Sequence, residues 1–79
     1  MKFKDGDQVI PAKLSVNFTP EECMQKGYVY IVTDRYLDGF RSLVHVKTRK
    51  FTYFTDQELE HEFIKLTKAV KVLYGGRDA

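Results

Sequence analysis

The chain has no tryptophan, one cysteine, two prolines and two histidines among its 79 residues. The lack of tryptophan excludes nothing, but the other scarcities are informative. A lone Cys23 cannot form an internal disulfide, which fits a reducing, cytoplasmic setting better than a secreted disulfide scaffold. His45 and His61 have no partner at metal-ligand spacing and lie far from Cys23 in sequence, so no metal centre is expected. No apolar run approaches the ~18 residues of a membrane-spanning helix. The opening MKFKDGD lacks the apolar core of a secretory signal. A surplus of one charge sign is also missing. Thirteen Lys and Arg against eleven Asp and Glu leave a formal charge of +2, well short of a strongly cationic nucleic-acid binder. Internal repeats and low-complexity stretches are absent as well.

What is present is a core former. Hydrophobic residues make up 43% of the chain and aromatics 14%, too rich for a disordered segment. At this length the whole chain, 1–79, reads as one domain with a modest core, and its stability is marginal unless oligomerisation or a partner helps. The organising stretch is Tyr28 to Thr55, which reads as three antiparallel strands over about 28–36, 40–48 and 51–55. Asp38-Gly39 is the strongest turn signal, because a two-residue hairpin turn needs positive φ. Centring the hairpin there places Ile31 opposite Val46, Thr33 opposite Val44 and Val29 opposite Thr48. A second turn at Arg49-Lys50 places Val46 opposite Tyr53 and Thr48 opposite Phe51. Strand side chains alternate between faces, so Val29, Ile31, Val44, Val46, Phe51 and Tyr53 share one side. The other side, with Tyr28, Tyr30, Val32, Leu43, His45, Lys47, Thr52 and Phe54, is mixed. Such a sheet is expected to be covered on both sides or curled into a small barrel.

The flanks supply the covering elements. A turn at Asp5-Gly6 leads to a strand over about 8–10, which Pro11 interrupts. An edge strand over about 13–18 then alternates Leu14, Val16 and Phe18. Thr19-Pro20-Glu21-Glu22 is a helix start, with Thr19 as N-cap, Pro20 at the first helical position and Glu22 completing a capping box. Phe18 and Cys23 have the spacing of a hydrophobic staple. Gly27 supplies the left-handed C-terminal residue of a helix over about 20–26. A second start, Thr55 with Glu58, opens an amphipathic helix over about 56–74 whose stripe is Leu59, Phe63, Leu66, Val70 and Leu73, ending at Gly75-Gly76. The rival reading makes Glu62 to Thr67 a final strand. The fold class is therefore α+β, mainly antiparallel β, with a barrel-like or strongly twisted sheet.

The opening Phe3, Gly6-Asp7-x-Val9, the central hairpin preceded by Gly27, and Tyr53-Phe54-x-x-x-Glu58-Leu59 resemble the Src-homology-3-like and KOW-like small barrels, over roughly residues 3 to 60. Short bacteriophage and prophage accessory proteins often have this look. The resemblance implies a binding module rather than an enzyme. In its concrete form that is a phage-type accessory protein docking on a bacterial host or phage factor and modulating it.

Candidate site residues follow from exposure and chemistry. Arg35, Tyr36, Leu37, Phe40 and Arg41 surround the hairpin tip, where exposed aromatics beside arginine suit a protein contact. On a helical wheel of about 100° per residue, Ile64 and Val72 fall beside Lys68 on the outer face of the long helix, a candidate partner or homodimer contact. Arg35, Arg41, Lys47, Arg49 and Lys50 form an alternative, single-stranded nucleic-acid reading, since cations follow phosphates while bases stack on rings. The carboxylates of Glu21, Glu22, Glu58, Glu60 and Glu62 are explained as helix caps and dipole complements, so neither catalytic residues nor a cofactor are expected.

Overall fold

The structure is a computed structural model, and it describes residues 3–14 and 17–66. It has a five-stranded sheet in the order β4-β3-β2-β1-β5, with every neighbouring pair antiparallel. Here β1 is Gln8–Pro11, β2 Tyr30–Leu37, β3 Phe40–His45, β4 Phe51–Phe54 and β5 Phe63–Lys65. Two helices accompany it, α1 over Pro20–Lys26 and α2 over Asp56–Glu62. The sheet is open, with β4 and β5 as its edges, so it is not closed into a barrel.

The local start and stop signals form as their chemistry dictates. Thr19 accepts from the Glu22 N–H while Glu22 accepts from the Thr19 N–H, and Thr55 and Glu58 repeat the same reciprocal pair. Gly27 ends α1 in the left-handed region at φ 76. Asp38 and Gly39 both have positive φ, 51 and 84, which is the two-residue turn whose twist matches the strands.

The register departs from expectation in two places. At the tip, Leu37 pairs with Phe40 and Tyr36 with Arg41, but further along Ile31 pairs with Val44, not Val46. A bulge accounts for the shift: Thr33, Asp34 and Arg35 stand opposite Ser42 alone. Side chains hold the bulge. The Thr33 hydroxyl donates to the Ser42 carbonyl at 3.1 Å and accepts from the Arg35 N–H at 3.2 Å, while Arg41 Nε donates to the Thr33 carbonyl at 2.6 Å. The second connection is not a turn at Arg49-Lys50. Strand β3 stops at His45, and Val44 pairs with Phe51 across the segment 46–50. The imidazole of His45 organises that segment. Its Nδ1 accepts from the Thr48 N–H at 3.1 Å and its Nε2 donates to the Gly27 carbonyl, tying the connection to the end of α1.

The expected long helix gives way to a strand at Phe63. α2 stops at Glu62, and Phe63-Ile64-Lys65 pair with Pro11-Ile10-Val9, so a final strand forms inside the range of the rival reading but over three residues only, and Thr67 lies outside the described residues. The cause is tertiary: without β5 the outer edge of β1 would be left unpaired, and pairing satisfies its backbone. Phe63 still joins Leu59 in one cluster, because a helical step of four and the strand that follows bring both to the same side. Strand alternation sends Ile64 to the opposite face, against Ile10 and Cys23. At its described positions the expected edge strand over 13–18 does not form: Ala12–Leu14 make one 3-10 turn after Pro11, Asn17 and Phe18 belong to no strand, and Ser15 and Val16 lie outside the described residues. Lys68, Val70, Val72 and Leu73 lie outside the described residues.

Two clusters make the core, one on each side of the sheet. Phe3, Val9, Val32, Leu43, Leu59 and Phe63, with Tyr30 and Phe54, fill the side covered by the N-terminal segment and α2. Tyr30 and Phe54 meet Phe63 edge-on, at ring-centre distances of 5.6 and 5.1 Å. Ile10, Cys23 and Val29, with Phe18, Tyr28, Val46, Ile64 and Leu66, fill the side covered by α1. Burial pushes the Cys23 thiol above its ordinary range, and the charge of Glu22 adds to the effect, so it behaves as a small core hydrophobe.

Candidate functional site

α1 covers its side of the sheet only toward β1, β5 and the start of β2. Beyond Val29 and Val46 that side continues through Ile31, Val44, Leu37, Phe40, Ser42, Phe51 and Tyr53, which the register places on one face. The set Ile31, Val44, Phe51 and Tyr53 thus shares a face as its alternation predicts, but no described element covers this part of the face. Leu37 is 59% exposed, Phe51 53%, Tyr53 44% and Phe40 43%. With about 150–250 Å² per large side chain, these four expose on the order of 400 Å² of apolar surface. Patches of about 300–600 Å² on a monomer are often functional.

Within the patch lies a shallow depression of about 290 Å³ lined by Arg35, Tyr36, Leu37, Ser42, Phe51 and Tyr53. Ser42 forms its floor: it is buried, and its hydroxyl is hydrogen-bonded to that of Thr33. Arg35 supplies a rim charge, and it engages no carboxylate among the described residues, whose one ion pair is Lys65 with Asp7 at 3.5 Å. A second hollow, about 420 Å³, opens between Pro11, Ala12 and Lys13 on one side and Phe54, His61, Glu62 and Phe63 on the other.

The expected tip residues separate into two roles. Arg35, Leu37 and Phe40 reach the open face. Arg41 does not: it is 5% exposed, and its guanidinium donates to the Phe3 carbonyl at 2.9 Å as well as to Thr33. It also lies 5.7 Å from the centre of the Tyr36 ring. Tyr36 in turn donates its hydroxyl to Asp56 at 2.9 Å. Desolvation, reinforced by that hydrogen bond, raises the Tyr36 pKa above its ordinary value. Arg41, Tyr36 and Asp56 therefore brace the N-terminal segment, the bulge and the start of α2 against one another.

Lys47, Arg49 and Lys50 are exposed on the 46–50 connection, at the far end of β3 from the hairpin tip. The five cations of the nucleic-acid reading are thus not one cluster. Ile64 is half-buried in the α1-side cluster rather than on an outer helix face, and Lys68 and Val72 lie outside the described residues. The residues sequence reasoning missed are Phe51 and Tyr53. Their signal, two aromatics two apart in a short strand, reads equally well as core until the covering elements are placed.

Among the described residues no helix is long and apolar enough to cross a membrane, and no group of three or more His, Cys, Asp or Glu side chains is placed to hold a metal ion. Comparison with protein-family models, with curated proteins and with solved structures finds no match to this chain.

Proposed function

We propose that this chain is a non-enzymatic binding module that docks on a larger protein through the open sheet face of Leu37, Phe40, Phe51 and Tyr53, with Arg35 at its rim. The single observation that carries the reading is the exposure of these four side chains on one continuous face. Interfaces gather their binding energy on aromatic anchors beside arginine. The concrete form implied by the resemblance to small phage barrels is an accessory protein that modulates a host or phage factor in the cytoplasm. The test is capture from bacterial lysate by the tagged chain and by a Phe51→Ser, Tyr53→Ser variant, both treated with nuclease. One stoichiometric band, lost in a variant that keeps its circular dichroism spectrum, is expected. Equal capture by both proteins sinks the reading.

A second reading has its own support. Exposed rings beside Arg35, which engages no carboxylate among the described residues, with Arg49 and Lys50 just before Phe51, also suit stacking of single-stranded bases. Affinity for an oligothymidine measured by fluorescence anisotropy would then fall steeply with salt. A flat salt response rules it out.

A further inference from the structure

The edge of β4 differs from its face, and its chemistry is self-complementary. The two-residue turn makes Leu37 and Phe40 a hydrogen-bonded pair, so Phe40, Ser42 and Val44 direct their backbone groups to β2. Arg41, Leu43 and His45 then direct theirs to β4, as the 2.8 Å bond from the His45 N–H to the Lys50 carbonyl shows. Their partners Thr52 and Phe54 face β3. It follows that Phe51 and Tyr53 turn their N–H and C=O groups outward, to an edge that no described strand occupies. Strand edges are ordinarily protected by shortness, proline, a bulge or an inward-pointing charge, and Phe51-Thr52-Tyr53-Phe54, though only four residues long, has none of the other three.

We propose that the occupant of this edge is a second copy of the chain, joined β4 to β4 in antiparallel fashion about a two-fold axis at Thr52. In that register Phe51 pairs with Tyr53 of the partner copy and Tyr53 with its Phe51. The four outward backbone groups of each copy are then satisfied by four hydrogen bonds. The neighbouring registers do worse: one draws in Thr55, whose N–H already donates to Glu58 at 2.9 Å, and the other draws in Arg49, whose N–H already donates to the His45 carbonyl at 2.8 Å. Charge agrees with the pairing. Lys50 precedes β4 and Asp56 follows it, so an antiparallel pair brings Lys50 of each copy diagonally toward Asp56 of the other, within reach of a long side chain. The aromatic side chains meet across the junction, and an axis perpendicular to the sheet keeps both open faces on the same side. Ten strands then carry one uninterrupted apolar face, twice the area of the single chain.

A junction this short is below the size of an obligate interface, so sedimentation should show monomer and dimer exchanging across roughly 10 µM to 1 mM. Lys50→Glu and Asp56→Lys should each weaken self-association by about tenfold, because each places like charges together at both ends. Their equimolar mixture should recover wild-type affinity, since both ends of the heterodimer are again opposite in charge. Thr52→Cys places two thiols across the axis of a non-hydrogen-bonded pair, near the span a disulfide bridges. In glutathione redox buffer it should cross-link to dimer, while Gln57→Cys does not, and the buried Cys23 stays silent in both. A wild-type chain that is monomeric throughout, a mixture no tighter than its components, or equal cross-linking of the two cysteine variants would each overturn the proposal. None of these outcomes bears on docking through the face.

Discussion

Leu43 and Val44 are neighbours in β3 and point to opposite sides of the sheet. Leu43 is fully buried in a cluster with Phe3, Leu59 and Phe63, whereas the side of Val44 runs on to Phe51 and Tyr53, which stand about half exposed. The side of Val44 is the more apolar of the two by composition, and the side of Leu43 is mixed. What separates them is where the rest of the chain goes: the N-terminal segment and α2 lie over one, and α1 reaches only the far half of the other. An apolar strand face becomes core or contact surface according to what the covering elements can span, and its own residues do not decide which.

Substitutions can break this contrast. Leu43→Ala should cost about 3 kcal/mol, the range for a fully buried leucine, read from the midpoint of urea unfolding. Arg41→Ala comes next, at about 2–3 kcal/mol, because two buried carbonyls lose a charged donor. Arg41→Lys should recover only part of that, since one ammonium cannot reach Phe3 and Thr33 with the planar fork of a guanidinium. If Arg41 instead belonged to the contact surface, its loss would leave the urea midpoint unchanged. Gly39→Ala should cost about 1 kcal/mol from its left-handed φ of 84, with open space around the added methyl. On the open face, Phe51→Ser should cost about 1 kcal/mol, less than Leu43→Ala because about half of Phe51 is already exposed. A cost comparable to that of Leu43→Ala would show that something covers this face.

The smallest expected effect concerns the edge beyond β1. The Lys4 N–H, 2.8 Å from the Asp7 carboxylate, holds that group below its ordinary value of 3.8, and Lys65 adds to the shift. A depressed carboxylate contributes stability that is fully present above pH 3.8 and is lost as pH falls through the lower folded value. Acid unfolding curves of Asp7→Asn should therefore converge on those of the wild type at the acid end and fall below them above pH 3.8. Parallel curves would contradict the assignment.

The two connections of the meander show how far the sequence could be read. Asp38-Gly39 needs nothing beyond itself, since positive φ at two residues selects the turn, and both capping boxes and α1 are equally local. The connection after β3 depends on His45 reaching Gly27, eighteen residues earlier, so neighbouring residues carry no trace of it. The bulge is similar, because it rests on Arg41 joining Thr33 to Phe3. Even so, each register error was an even number of residues. Face membership therefore survived within the strands while the pairing did not, and Tyr28, which precedes β2, joins the α1-side cluster instead of the side of Tyr30 and Val32. For the candidate site, Arg35, Leu37 and Phe40 were legible beside the turn, but Phe51 and Tyr53 were not.

The sequence alone therefore determined the turns, the helix starts and the alternation of faces. These rest on backbone torsions and hydrogen bonds within about four residues, which no distant segment alters. Tertiary structure decided that Phe63-Ile64-Lys65 extend rather than coil, that the side of Leu43 is covered along the meander while the side of Val44 is covered only in part, and that no described strand pairs with the outer edge of β4. Those outcomes depend on which unpaired backbone and which apolar surface remain once the other elements are in place, and that balance exists only in the assembled sheet.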